Sequence, residues 1–138
     1  MTAPEPIVHL SLPVSDLEAS RRFYVEAFGC DVGRVRDDWI DVWFFGMQLT
    51  LQLRPDEVRP AAAQGVQHFG VVLPDLDEYL AVVERLRSAD VEWLAEPAAH
   101  GSASLSGKVG GKLADPSGHV IEVKHYDDVD SYLGVAGG

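Results

Sequence analysis

The sequence predicts an α+β fold made of two βαβββ modules. Three observations predict it: a repeated strand-opening segment, an apolar helical stripe after each copy, and period-two alternation in the segments that follow. The repeat reads Ile-Val-His-Leu-Ser-Leu-Pro-Val-Ser-Asp-Leu at residues 7–17 and Val-Gln-His-Phe-Gly-Val-Val-Leu-Pro-Asp-Leu at residues 66–76. Each copy carries a histidine in a strand, then a proline, then an acidic residue that opens a helix.

In the first copy, Val8, Leu10 and Leu12 share one face of a strand over residues 7–13, and His9 and Ser11 share the other. Ser15 and Glu18 have capping-box spacing. Leu17 starts a helical pattern through Arg21, Tyr24 and Phe28, and Gly29 is a natural stop. Residues 31–36, 39–45 and 48–54 read as strands, with turns at Asp37-Asp38 and Gly46. Residues 55–65, with two prolines and three consecutive alanines, read as a linker. The second copy starts with a strand over residues 66–73. Asp75 and Glu78 repeat the cap, and Leu76, Leu80, Val83 and Leu86 form the stripe. Strands over residues 91–95, 109–114 and 119–126 complete it. The first module is thus expected at residues 7–54, the second at 66–126, and a tail at 127–138, all within one domain of residues 1–138. Residues 100–111 are rich in Gly and Ser and read as a mobile loop suited to a lid.

The 138 residues suffice for one domain with a substantial core, and 46% of them are apolar. A net charge of −11 counts against nucleic acid and anionic membranes, both of which need a basic surface. Most of the carboxylates read simply as a solvated exterior. No apolar stretch approaches membrane-spanning length. The opening Met-Thr-Ala-Pro-Glu-Pro lacks the basic-then-apolar pattern of a signal peptide. A single cysteine, Cys30, rules out an internal disulfide, and a cytoplasmic location is expected.

Strand parity sorts the polar residues. Glu122 shares a face with Val120, Lys124 and Tyr126, while Ile121 and Val123 face a covering helix; His119 and His125 lie on that opposite face and read as structural or surface residues. Aligning Gly46 with Gly118 sets Thr50 opposite Glu122. Gln48, Thr50 and Gln52 then line a non-helix face, joined by Trp39, Asp41, Trp43 and Phe45. This mixture of aromatic and amide groups suits a small-molecule cup. His9, His68 and Glu122 supply two imidazoles and a carboxylate, the donor set of a facial triad with open positions.

The paired βαβββ pattern, the two His-strand-Pro openings and the ending Asp-Pro-Ser-Gly-His-x-x-Glu at residues 115–122 resemble the vicinal oxygen chelate superfamily. That group includes glyoxalase I, bleomycin-resistance proteins, extradiol dioxygenases and fosfomycin-resistance thiol transferases. The resemblance runs from Ile7 to about Tyr126. It implies two modules closing into a cupped half-barrel around one divalent metal, with His9, His68 and Glu122 as ligands, a small-molecule substrate, and a homodimer. It also implies departures. Glyoxalase I enzymes typically use a further glutamate where this chain has Thr50, which disfavours that chemistry. Bleomycin-binding members usually lack the ligands that are present here. Fosfomycin-type members need cations around a phosphonate, for which Lys108, Lys112 and Lys124 are candidates. Extradiol dioxygenases share the three ligands but usually have four modules.

The expected function is a metal-dependent enzyme acting on an oxygen-chelating substrate, dioxygenase-like with Fe(II) favoured; Mn(II), Zn(II) and Ni(II) accept the same ligands. The alternatives are a ligand-sequestering protein without turnover and an Mn(II)-dependent thiol transferase. Tyr126 and His100 are the candidate proton-transfer residues, set against plainer roles as an edge aromatic and a solvated loop histidine. Trp39, Trp43, Gln48, Thr50, Gln52 and Lys124 are the candidate substrate contacts; the plainer roles are filling the cup and, for Lys124, pairing with a carboxylate at its mouth. Cys30 is assigned no nucleophilic role.

Overall fold

A computed structural model describes residues 3–97 and 108–134. In chain order the elements are β1 (His9–Val14), α1 (Leu17–Arg22) running into a π-helical turn (Phe23–Ala27), β2 (Asp31–Val35), β3 (Trp39–Phe44), β4 (Met47–Leu53), β5 (Phe69–Val72), α2 (Leu76–Ser88), β6 (Glu92–Ala95), β7 (Lys108–Ala114), β8 (Val120–Tyr126) and α3 (Val129–Leu133). They form two open, mixed four-stranded sheets of identical plan. One has the order β1-β4-β3-β2, the other β5-β8-β7-β6. In each, the first strand lies parallel to the last, and the remaining neighbours are antiparallel.

Alternation explains which face is buried. Leu12, Val14, Ile40, Val42, Phe44, Leu49 and Leu51 of one sheet share a core with Leu113, Ile121 and Val123 of the other. Both helices contribute, through Tyr24, Ala27 and Phe28 on one side and Tyr79, Val83 and Leu86 on the other. Helices and apolar sheet faces therefore make one interior, and the polar face of each sheet points away from it. Register preserves the repeat: Thr50 pairs with Ser11 and Asp41, and Glu122 pairs with Gly70 and Lys112. Ser11 follows His9 by the same two residues as Gly70 follows His68, so Thr50 and Glu122 occupy equivalent places.

The segment Asp115-Pro-Ser-Gly-His joins the two halves. Asp115 is buried; its Oδ1 accepts from the backbone N–H of Ser117 (2.8 Å) and His119 (2.9 Å), and its Oδ2 accepts from Tyr24 Oη at 2.7 Å. Burial and the adjoining Asp115 carboxylate hold the Tyr24 hydroxyl well above the usual phenol range, so it stays a donor. Ser117 Oγ accepts from the Ser15 N–H at 3.0 Å, and His119 Nε2 donates to the Pro13 carbonyl at 2.6 Å. Gly118 has φ +92°, and a Cβ there would lie 2.3 Å from the Arg59 carbonyl oxygen. Only glycine serves both the backbone conformation and the close approach.

Several expected details differ. Asp16, not Ser15, caps α1, accepting from the Ala19 N–H at 3.0 Å, because Ser15 is engaged with Ser117. Phe45 leaves the strand for a left-handed turn (φ 49°) and packs edge-on against Phe28 and Phe44. His68 precedes β5 rather than lying within it. Residues 55–65 hold two 3-10 turns, Pro55–Glu57 and Ala61–Ala63, and Gln64 reaches the Gly118 carbonyl. The tail contains α3, capped by Asp128. Residues 108–111 of the expected loop belong to β7; the remainder, including His100, lies outside the described residues. Among the described residues no helix is long and apolar enough to cross a membrane.

Two tyrosines make opposite predictions. Tyr24→Phe removes one donor from a buried carboxylate and should cost about 1–3 kcal/mol. The Tyr79 hydroxyl is buried with no hydrogen-bond partner among the described residues. Tyr79→Phe should therefore leave stability unchanged or raise it. Urea denaturation of both variants checks the pair.

Candidate functional site

The polar face of the first sheet forms a cavity of about 280 Å³ lined by His9, Ser11, Arg34, Trp39, Gln48, Thr50 and Gln52. Parity puts these residues together because β1, β4 and β3 pair in register. The group that organises them is Asp41, which is 2% exposed. It accepts from Thr50 Oγ1 at 2.6 Å, Arg34 Nε at 2.7 Å and Gln48 Nε2 at 3.4 Å. Burial pushes its carboxyl up, but the hydrogen bonds from Thr50 and Arg34, the Arg34 charge and the Gln48 amide outweigh it. The net result is a carboxyl held below its ordinary range.

Thr50 therefore spends its hydroxyl on Asp41, and Gln52 donates to Ser11 Oγ. The ring of Trp39 already carries cations: the guanidinium carbons of Arg34 and Arg36 lie 4.8 and 5.4 Å from its centre. Trp43 is half-buried beside Gly33 and does not line this cavity. His9 sits exposed at the mouth, its Nδ1 donating to the Gln48 carbonyl at 3.1 Å. That hydrogen bond sets the neutral tautomer and leaves a lone pair on Nε2.

The polar face of the second sheet holds a smaller cavity of about 210 Å³, with His68, Gly70, Glu122 and Lys124 in its wall. His68 Nδ1 donates to the Val66 carbonyl at 2.7 Å, fixing the same tautomer as in His9. Its Nε2 faces Glu122 Oε1 at 3.5 Å. In the neutral ring both atoms are acceptors, so a shared cation is the natural occupant of the space between them. Lys124 Nζ lies 3.5 Å from Glu122 Oε1, and Lys108 Nζ lies 3.7 Å from Oε2. Burial raises the Glu122 carboxyl, but the charges of Lys124 and Lys108, a hydrogen bond from Lys124 and the charge of Lys112 more than reverse this and lower it. Gly70 is indispensable to the pairing, since a Cβ there would lie 1.9 Å from the Glu122 carbonyl oxygen.

The structure thus brings His68 and Glu122 together, with Lys124 beside them, and groups Gln48, Thr50 and Gln52 around His9. Among the described residues no three His, Cys, Asp or Glu side chains stand close enough to hold one metal ion. His9 lies in the other cavity, because the two polar faces point away from a shared core. Tyr126 does not line the His68 cavity; its ring stacks on Tyr132 at 6.1 Å, with Lys124 Nζ 5.6 Å from its centre. His119 and His125 bond the Pro13 and Leu73 carbonyls from the helix-facing side. Burial pushes the Cys30 thiol up to about 12, which removes it as a nucleophile. Sequence reasoning assigned no role to Asp41 or Arg34. The available signal was a lone carboxylate in Trp-Ile-Asp-Val-Trp-Phe, at the parity of Thr50.

A family model described as the Glyoxalase/Bleomycin resistance protein/Dioxygenase superfamily matches residues 6–123. A solved structure of a glyoxalase/bleomycin resistance protein/dioxygenase from Alicyclobacillus acidocaldarius is 26% identical, with 96% of this chain and 99% of that one covered and a TM-score of 0.81. A glyoxalase-related enzyme from Fulvimarina pelagi is 26% identical over 88% of each chain, with a TM-score of 0.68. A genomically encoded fosfomycin resistance protein from Listeria monocytogenes shares the fold at 14% identity, covering 91% of this chain and 94% of its own, with a TM-score of 0.66. No protein of curated function matches the chain.

The Asp41 network makes a prediction about acid. A carboxyl held below its ordinary value of 3.8 contributes stability that is fully present above that value and lost as pH falls through the lower folded-state value. Thr50→Val should cost about 1–3 kcal/mol at neutral pH. The gap between wild type and Thr50→Val should close as Asp41 becomes protonated. Urea denaturation from neutral pH to pH ~3 measures it; a gap independent of pH would remove Asp41 as the source.

Proposed function

The chain belongs to the glyoxalase/bleomycin resistance protein/dioxygenase superfamily, and from that premise we propose that it is a divalent-metal-dependent enzyme acting on a small substrate with two neighbouring oxygens. The observation that carries this is the shared tautomer of His9 and His68. Each ring is anchored through Nδ1–H to a backbone carbonyl, which leaves Nε2 as the donor atom, and the His68 Nε2 already faces Glu122.

Two copies of the chain complete the ligand set in this proposal. His9 opens β1 and His68 directly precedes β5, and both strands are edges with one side unpaired. Exposed apolar side chains flank both histidines: Ile7 and Val8 beside one, Val66 beside the other. Such edges invite pairing with another chain, and that pairing places His9 of one protomer against His68 and Glu122 of its partner. The homodimer is thus what makes the site.

Fe(II) held by these three residues would supply open positions for a chelating substrate and O2, whereas Mn(II), Zn(II) or Ni(II) would supply Lewis acidity. The protein's own groups do the rest. His9 and His68 are locked in ring orientation by the Gln48 and Val66 carbonyls. Gln48 and Gln52 present amides to one wall, and Lys124 presents a cation to the other. Thr50, tied to Asp41, offers no carboxylate of its own, which separates this site from one that uses a fourth acidic ligand.

Metal content by mass spectrometry after anaerobic purification tests the proposal. Near-stoichiometric metal should be lost in His9→Ala and in Glu122→Ala. Mixing those two variants should restore it partially, because each hybrid dimer regains one intact site of its two. No recovery on mixing, with dimers formed, would place all three ligands in one chain. No metal in wild type, even after reconstitution, would move the protein to a ligand-sequestering role.

A further inference from the structure

The lysines of this chain are Lys108, Lys112 and Lys124, and there are no others. All three converge on Glu122. Lys108 and Lys124 approach its two oxygens at 3.7 and 3.5 Å, and Lys112 sits directly opposite it in the β7–β8 register. Lys108 and Lys112 are four apart on one strand, so they share a face, and Lys124 shares the parity of Glu122 on the next. In a chain of net charge −11, this places a compact basic island on the polar face of one sheet. The equivalent region of the first sheet has the opposite character: Asp41 stands where Lys112 stands, and Thr50 where Glu122 stands.

One carboxylate cannot neutralise three ammonium groups. It neutralises still less once it serves as a metal ligand, because the same oxygens that face Lys108 and Lys124 would then face a dication. Like charges at this separation disfavour one another by an amount that matters at the effective dielectric of a protein surface. A group carrying negative charge on several oxygens answers both the lysines and the ion. We propose that Lys108, Lys112 and Lys124 form an oxyanion subsite beside Glu122, so that the substrate carries a carboxylate, phosphonate or phosphate group next to its chelating oxygens. The metal half of this statement rests on the function proposed above; the oxyanion half does not.

A consequence is cooperativity. Without an oxyanion the lysines oppose the metal, and with one they favour it, so each ligand tightens the other by the same factor. The test uses the full-length chain, stripped with chelator, beside Lys108→Met/Lys112→Met/Lys124→Met, which keeps the apolar stems and removes the charges. Calorimetric titration with Mn(II) is run alone and with acetate or methylphosphonate. Wild type should bind Mn(II) on the order of tenfold more tightly with the anion. The variant should bind Mn(II) more tightly than wild type in the absence of anion, and should not respond to either anion. The larger of the acetate and methylphosphonate responses identifies the oxyanion class. No anion response in wild type, or an equal response in both proteins, overturns the subsite. If neither protein binds Mn(II), the metal assignment fails separately, and amide chemical shifts of metal-free protein with methylphosphonate decide. Shifts along β7 and β8 that vanish in the variant support the subsite, and their absence in wild type overturns it.

Discussion

The buried carboxylate of Asp115 is the constraint on which the rest of the structure depends. It closes the turn that launches β8, by accepting from two backbone N–H groups, and it accepts from Tyr24 on the other half of the molecule. Ser117 and His119, from the same turn, bond the backbone of Ser15 and Pro13 at the end of β1. The connecting segment passes over Gly118, where only hydrogen fits. The strand that carries Glu122 is thereby fixed against the first sheet by several hydrogen bonds, most of them buried and therefore costly to leave unmade. The short motif read from the sequence as a family signature has a structural task; the chemistry begins three residues after it.

Around that constraint the two halves use one backbone plan for different electrostatics. In both sheets the third and fourth strands place a polar pair at the same register position. In the first it is Asp41 with Thr50, drawn inward and satisfied by Arg34. In the second it is Lys112 with Glu122, joined by two further lysines. The first pair is internally balanced and shapes a wall. The second carries excess positive charge and has reason to recruit a ligand. Duplication supplied symmetry of position, and substitution at a few strand positions removed symmetry of charge.

Much of the fold was legible because it rests on short-range periodicity. Leu49 and Leu51 alternate with Thr50, and Ile121 and Val123 alternate with Glu122, so period two alone assigns their faces. Asp75 before Leu76 marks the start of α2 as read. What was not legible depends on partners distant in sequence. Ser15 loses the cap of α1 to Asp16 because Ser117, more than a hundred residues later, claims it. Phe45 leaves the strand because the rings of Phe28 and Phe44 offer a better surface. The joining of His68 with Glu122, and the separate placement of His9, follow from two sheets turning their apolar faces toward one interior, and no local pattern encodes that arrangement. Tyr126 has the parity of Glu122, yet its ring is engaged by a tail residue, Tyr132.

Gly70 shows how a residue without a side chain belongs to this site. The Cβ it lacks would stand where the Glu122 carbonyl oxygen stands, so β5 and β8 run closer there than any other amino acid allows. A larger residue at that position would act on the carboxylate through displaced backbone, not through contact, moving Glu122 relative to His68 and the lysines together. A saturation scan of this strand would therefore score Gly70 alongside the side chains that touch a ligand. Its counterpart Ser11 has a side chain that fits, so the first strand of each half, though built on one plan, has a different freedom to vary.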